Sequence, residues 1–318
     1  MRRLPTTLVV SSALSAALVF SVGPSALAGS PRPEPKVTAQ LIGGVPSVEN
    51  YPWMGRGKFG CGASVISETW LVTAAHCLNG HEPRGSLFEA RIGSKDKKEG
   101  GEVVPARKEF LHPNHPAAVD GKRKLYDIGL IKLKVPYKGG TVALPTGYTA
   151  PNTPTRLLGW GAQDTELTKF PRYLHELDTK VRDNSACDTA SGIFMPGFEI
   201  CTDNPQGVNG ACSGDSGGPQ ITKVDGRWTL IGVTSRGGAV CGGSPSVYTD
   251  IFGYKSWILD TVRAEDGTLP PELAAWQRDT ASKPTITPTP TSSPSGTPSS
   301  APAPTTRPRP SWWPTRLP

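Results

Sequence analysis

The chain has 318 residues, with 34 Lys and Arg against 27 Asp and Glu, a formal net charge of +7. It carries 36 Gly and 33 Pro, more than a fifth of the chain, roughly twice the usual share of these two residues. That excess excludes a helical bundle or coiled coil as the main architecture and suits a turn-rich β protein with an extended segment. The length allows one large domain or two small ones, each with a real core. A pI near 9.1 permits attraction to acidic surfaces without marking a nucleic-acid binder.

At the amino end, Arg2 and Arg3 precede an apolar run over 8–22 and then Ala26-Leu27-Ala28. This is the order of a secretory signal, basic then apolar then small, with cleavage expected after Ala28. The run is shorter than the ~20 apolar residues that span a bilayer, and no later stretch is longer, so no membrane span is expected. A secreted, extracellular chain with six cysteines should form disulfides, although the count alone leaves their pairing open. Residues 29–40 (GSPRPEPKVTAQ) are polar and proline-rich and read as a short pro-segment.

The region 41–265 holds every Cys and His of the chain. Its apolar runs at 64–66, 71–73, 128–133 and 229–234 are short and punctuated by Gly, Pro, Asn and Asp, as in the strands of a sandwich or barrel. Ile251, Tyr254, Trp257, Ile258 and Val262 then fall at helical spacings, predicting an amphipathic helix over 251–263. A short helix is expected near 270–278. The remainder of 266–318 is a Pro/Thr/Ser-rich tail that cannot bury enough apolar surface to offset chain entropy. It is expected to be disordered and polyproline-like.

Three segments carry candidate chemistry: Leu71-Val72-Thr73-Ala74-Ala75-His76-Cys77, Asp127-Ile128-Gly129-Leu130-Ile131-Lys132-Leu133 and Gly214-Asp215-Ser216-Gly217-Gly218-Pro219. A serine hydroxyl needs a base to remove its proton during attack. Imidazole titrates near neutral pH, and a carboxylate on its other nitrogen would fix its tautomer. His81, His112, His115 and His175 lack such a setting and are expected to be loop or surface residues. The cysteine spacings lack paired Cys-x-x-Cys ligands, so a zinc site is not expected.

With Leu41-Ile42-Gly43-Gly44, Gly159-Trp160-Gly161 and Ser246-Val247-Tyr248-Thr249 in the right order, the region 41–263 resembles the trypsin/chymotrypsin family of serine endopeptidases. The resemblance implies an all-β fold of two packed six-stranded antiparallel β-barrels, about 41–140 and 141–250, closed by a C-terminal α-helix. It implies His76, Asp127 and Ser216 as the catalytic set and the backbone N–H groups of Gly214 and Ser216 as the oxyanion hole. Ser235 would hold Asp127, and its backbone, with that of Gly237, would pair with the substrate strand. Gly210 would form the pocket floor, followed by Ala211, with Gly237 and Ser246 as walls. The implied disulfides are Cys61–Cys77, Cys187–Cys201 and Cys212–Cys241. A new amine at Leu41, freed by cleavage after Gln40, would pair with Asp215.

The floor carries no carboxylate to balance a Lys or Arg side chain, which predicts an uncharged, apolar P1 residue. The lysine-rich stretch 93–101 (GSKDKKEGG) argues against a calcium loop, so no metal and no cofactor is expected. The expected partner is a protein or peptide substrate, with no nucleic acid and a monomeric state. Trp312-Trp313, flanked by Arg309 and Arg316, offers a contact for a cell wall or glycan surface. The alternative is a tail with no partner. The signal and tail have the look of a Gram-positive-like bacterial protein. The rival reading is a non-catalytic surface- or matrix-binding protein built on the same scaffold.

Overall fold

A computed structural model describes residues 41–78, 86–115, 125–187 and 194–278. The expected signal (1–28), the pro-segment (29–40), His81 and the tail from 279 onward lie outside the described residues.

The first half forms a closed barrel of β2 (Met54–Gly57), β3 (Gly62–Ser67), β4 (Trp70–Thr73), β7 (Gly129–Leu133), β6 (Glu102–Leu111) and β5 (Glu89–Ile92), hydrogen-bonded in that order. Every neighbouring pair is antiparallel. β3 and β4 are buried along their whole length, which explains their near-continuous apolar character. The shared core includes Val65, Trp70, Leu71, Ile92 and Leu130.

The second half is built on β8 (Pro154–Gly159), β9 (His175–Lys180), β10 (Glu199–Thr202), β11 (Pro219–Val224), β12 (Arg227–Arg236) and β13 (Ser246–Asp250). Its pairing runs β9-β8-β11-β12-β13-β10. The ring is drawn shut beyond the end of β9. Val181 bridges Thr202, and the Asp203 N–H donates to the Lys180 carbonyl at 2.9 Å. A two-residue strand, β1 (Val45–Pro46), adds to the free side of β9 and makes this a seven-stranded sheet.

The expected helix over 251–263 is found as α1 (Lys255–Asp266). The first four residues of the predicted span form a turn because the Asp250 carboxylate accepts N–H bonds from Phe252 (2.8 Å) and Gly253 (3.2 Å). Ile251 and Tyr254 are buried from that turn rather than from the helix, so the apolar spacing is genuine but the helical start is late. α1 ends at Gly267, whose φ of 75° is the left-handed conformation that glycine adopts without strain.

The short helix expected near 270–278 is present past the boundary expected at 265. α2 (Pro271–Arg278) buries Leu273 and Trp276 in the main core, and the Trp276 indole donates to the Pro145 carbonyl at 2.7 Å. Two large apolar residues three positions apart give even this short helix one sticky face. Asp266 reinforces the join by accepting from the Trp70 indole (2.8 Å) and Lys132 (2.6 Å). The folded unit therefore reaches at least residue 278.

Of the histidines expected in loops or at the surface, His175 is instead a buried strand residue, and His115, in a loop as expected, is also buried. His175 lies on β9 between β1 and β8, and His115 sits beside the Leu125 carbonyl. His112 is partly buried, stacked on Tyr126 and packed by Tyr254 and Trp257. No helix among the described residues is long and apolar enough to cross a membrane.

Replacing Trp276 by Ala removes both the core contact and the indole hydrogen bond. The expected loss is about 3–5 kcal/mol, read as a lower urea midpoint. An unchanged midpoint would show that α2 is not part of the cooperative unit.

Candidate active site

His76 lies in a single helical turn, Ala75–Cys77, that follows β4 directly. The Cys61–Cys77 disulfide ties this turn to the entry of β3. Asp127 lies two residues before β7, after Tyr126 in a left-handed conformation (φ 55°). The two residues meet twice: the His76 backbone N–H donates to Asp127 Oδ1 at 2.9 Å, and His76 Nδ1 lies 2.8 Å from Oδ2. The second barrel completes the cradle. Ser235 Oγ donates to Asp127 Oδ2 at 2.6 Å, and Thr249 Oγ1 donates to the Asp127 carbonyl at 2.7 Å.

Asp127 is 1% exposed. Burial alone would push its carboxyl up. The hydrogen bond and charge of His76, with the Ser235 hydroxyl, outweigh that and hold it below the usual carboxylate range. An ionised acceptor facing Nδ1 makes Nδ1 the donor, which leaves the lone pair of the neutral ring on Nε2.

The serine loop docks on the same turn. The Gly62 N–H donates to the Ser216 carbonyl at 2.8 Å, and the Gly217 N–H to the Thr234 carbonyl at 2.8 Å. Gly217 has a φ of 74°, and a Cβ there would lie 2.2 Å from Thr73 Oγ1 and 3.2 Å from Cys77 Sγ. Only glycine lets the residue after Ser216 press so closely on the chain flanking His76. Gly214, at φ 96°, is likewise held against Gly161, since a Cβ there would lie 3.1 Å from its Cα. The structure thus brings His76, Asp127 and the Ser216 loop together where the barrels meet.

Asp215 points the other way, into the second barrel, and is fully buried. Its oxygens accept from Gly161 N–H (2.8 Å) and Cys212 N–H (2.9 Å). Burial pushes its carboxyl up to about 7, against the pull of those N–H bonds and the Arg56 charge. Leu41 is also fully buried, in a cluster with Leu157, Ile231 and Tyr248 that packs against Ala211. Next to it, Ile42 accepts from the Gly210 N–H at 2.9 Å.

Of the expected pocket residues, Gly210, Ala211 and Ser246 are together. A Cβ on Gly210 would lie 3.1 Å from Ser246 Oγ, which accepts from the Ala211 N–H at 3.2 Å. Gly237 faces open space. Asn204 also borders the floor, although nothing in its sequence context distinguishes it from a turn residue. Its amide donates to the carbonyls of Gly242 (2.6 Å) and Ser244 (2.7 Å), pinning two segments together. Thr249 is a second residue that the motifs did not single out as a site residue.

Three disulfides, Cys61–Cys77, Cys187–Cys201 and Cys212–Cys241, use all six cysteines and suit an oxidising, extracellular setting. The cluster of Cys61, His76 and Cys77 offers a metal no thiolate, because both sulfurs are bonded to each other. In the 93–101 stretch, Asp96 and Glu99 are engaged by Arg172 at 2.7 and 2.8 Å.

The trypsin family model matches residues 41–258. The chain belongs to the trypsin family. It is 32% identical to a trypsin of Sus scrofa over 237 residues, covering 71% of this chain and 96% of the relative. It is 31% identical to an anionic trypsin of Canis lupus familiaris, covering 71% and 90%. A CLIP domain-containing serine protease B4 of Anopheles gambiae is 31% identical over 278 residues, covering 77% and 76%. Membership makes the chain a serine protease hydrolase whose substrate is a protein or peptide. The family match ends within α1 and stops short of α2.

A second buried carboxyl, Asp250, is also pushed up to about 7 by burial, against N–H bonds from Gly253 and Phe252. A carboxyl raised from 3.8 to about 7 on folding gives stability that is complete below the lower value and is lost as pH rises through the higher. With the bond before Leu41 intact, stability should therefore fall across that window. Asp250→Asn keeps the acceptor oxygen but cannot ionise, so its fall should be shallower in urea unfolding. An identical pH slope would show that Asp250 does not titrate there.

Proposed function

We propose that the chain is a secreted serine endopeptidase working through an acyl-enzyme, with Ser216 as nucleophile, His76 as general base and then acid, and Asp127 as the orienting carboxylate. The observation that carries this reading is the pairing of His76 Nδ1 with the buried Asp127 Oδ2 at 2.8 Å. It leaves Nε2 as the basic nitrogen, and the Ser216 loop packs on the chain that carries His76.

In the first half-reaction, the Ser216 Oγ–carbon bond forms as its proton passes to His76 Nε2. The carbonyl oxygen takes the negative charge and is met by the N–H groups of Gly214 and Ser216. Loss of one such donor costs about 2.7–4 kcal/mol of barrier. His76 then gives the proton to the leaving amine and the C–N bond breaks. Water, deprotonated by the same nitrogen, repeats the sequence and releases the acid.

Activation follows from Asp215. Its carboxyl is buried with two N–H donors, and an ammonium would hold it ionised. The proposed source is the amine of Leu41, freed from the pro-segment 29–40. Because Gln40 precedes it, the activating cut is not one made after Lys or Arg. The pocket takes an uncharged, apolar P1 side chain, because a cation buried against Gly210 and Ser246 would be unpaired. The chain is proposed to act as a monomer in a bacterial extracellular setting.

Intact mass of the secreted protein, with and without a fluorophosphonate, tests nucleophile and activation together. The expected result is one adduct on a chain beginning at Leu41. In Ser216→Ala the adduct is absent and kcat falls by roughly a millionfold. A chain that begins at Leu41 and takes no adduct would overturn the endopeptidase reading.

A further inference from the structure

Behind Asp127 lies a buried ion pair that the mechanism above does not use. Arg236 and Glu199 have side chains only 7% and 2% exposed. Their planar groups meet fork to fork, Nη1 to Oε1 and Nη2 to Oε2, the latter at 2.8 Å. Glu199 Oε2 also accepts the Met195 N–H at 2.8 Å. The β12–β13 register shifts between Thr234 and Arg236, a bulge centred on Ser235. A bulge re-aims side chains that would otherwise alternate across the sheet. Here residue 235 reaches Asp127 while residue 236 reaches Glu199.

On β10, Glu199 stands directly opposite Thr249 of β13, and the Thr249 hydroxyl holds the Asp127 carbonyl at 2.7 Å. The contacts therefore close a ring: the Asp127 carboxylate, Ser235, Arg236, Glu199, Thr249 and back to the Asp127 carbonyl. The Tyr254 hydroxyl is buried and feels the charge of these groups. Burial pushes that hydroxyl up, Glu199, Tyr126 and Asp127 add to the rise, and Arg236 opposes it.

We infer that Arg236 and Glu199 are positioning residues, which fix Asp127 from behind by locking the bulge that carries Ser235 to the strand that carries Thr249. A buried ion pair contributes little net stability, since desolvation offsets the attraction. What the fork geometry does supply is direction. Arg236 also stands between Ser235 and Gly237, the two residues whose backbones are proposed to pair with substrate. The inference rests on the proposed roles of His76, Asp127 and Ser216.

The test compares the full chain with Arg236→Met, Glu199→Gln, Arg236→Lys and the double variant Arg236→Met/Glu199→Met. Each is assayed on a tetrapeptide amide with leucine at P1, per serine labelled to completion by fluorophosphonate. Each single neutral variant should lose roughly tenfold to a hundredfold in kcat, the cost of a displacement of up to about 1 Å, with KM little changed. The Lys variant, which keeps the charge but loses the fork, should fall between these and wild type. The double variant leaves no unpaired charge. It should keep a melting temperature near wild type while kcat stays low, which a merely structural role would not produce.

Wild-type kcat per labelled serine in both the double and the Lys variants would overturn the inference. If the double variant does not fold, full kcat in Arg236→Lys overturns it alone. Imidazole NMR of His76 gives a readout that needs no turnover. Loss of the Nδ1 proton signal in the variants supports the ring, and full retention overturns it. A wild-type chain that begins at Leu41 and resists the probe would instead sink the endopeptidase reading, leaving the NMR comparison to decide the ring.

Discussion

Everything at this site depends on keeping one carboxylate charged inside the protein. Taking an ion out of water costs several kcal/mol unless its lone pairs are met. Asp127 meets that cost with donors from both barrels: the His76 backbone and ring from the first, the Ser235 hydroxyl from the second. The donors outweigh desolvation, and the carboxyl sits below its usual range. Because neither barrel supplies the whole set, Asp127 acts as a rivet as well as a site residue. Any shift of one barrel over the other would strip donors from a buried charge.

The serine loop obeys a different constraint, that of volume. Its glycines are places where backbone touches backbone or a side chain so closely that a methyl group would collide. Gly217 sits on Thr73 and Cys77, and Gly62 would place a Cβ 2.6 Å from the Cα of Gly218. Ser216 is thus seated by steric fit, while Asp127 is seated by charge. The two devices converge on the Cys61–Cys77 turn that carries His76, so the bridge anchors the point where both are referenced.

Much of this was readable from residue order, for a physical reason. The short runs that hold His76 next to Cys77, Asp127 before a buried strand and Ser216 among glycines are the ones that the fold brings together. Strand runs such as 128–133 are also local, because a closed barrel buries both the pattern and its ends. Long-range fits left no such mark. α1 begins late because Asp250 ties a turn that apolar spacing cannot register. α2 joins the core through only Leu273 and Trp276, and eight residues make a weak periodic signal. His175 is buried where β1, far away in sequence, pairs with β9. Asn204, Thr249, Glu199 and Arg236 look like ordinary polar residues until the sheet sets them side by side.

The two buried carboxyls flanking Ser216 and Ser235 show how the same chemistry gives opposite behaviour. Asp127 has a ring nitrogen that can carry positive charge within 2.8 Å, and it is held ionised. Asp215 has backbone donors and the field of Arg56, yet burial prevails and its carboxyl rises to about 7. The difference is a cation at contact distance. Under the proposed function, the first arrangement suits steady proton transfer and the second suits a change of state on cleavage. An arriving ammonium turns an expensive buried acid into a paired ion, and the Cys212 N–H and Gly161 N–H already point at the oxygens that would hold it. Next to the same loop, the Gly210 N–H rests on Ile42, so the segment that would deliver the ammonium also bears on the pocket floor.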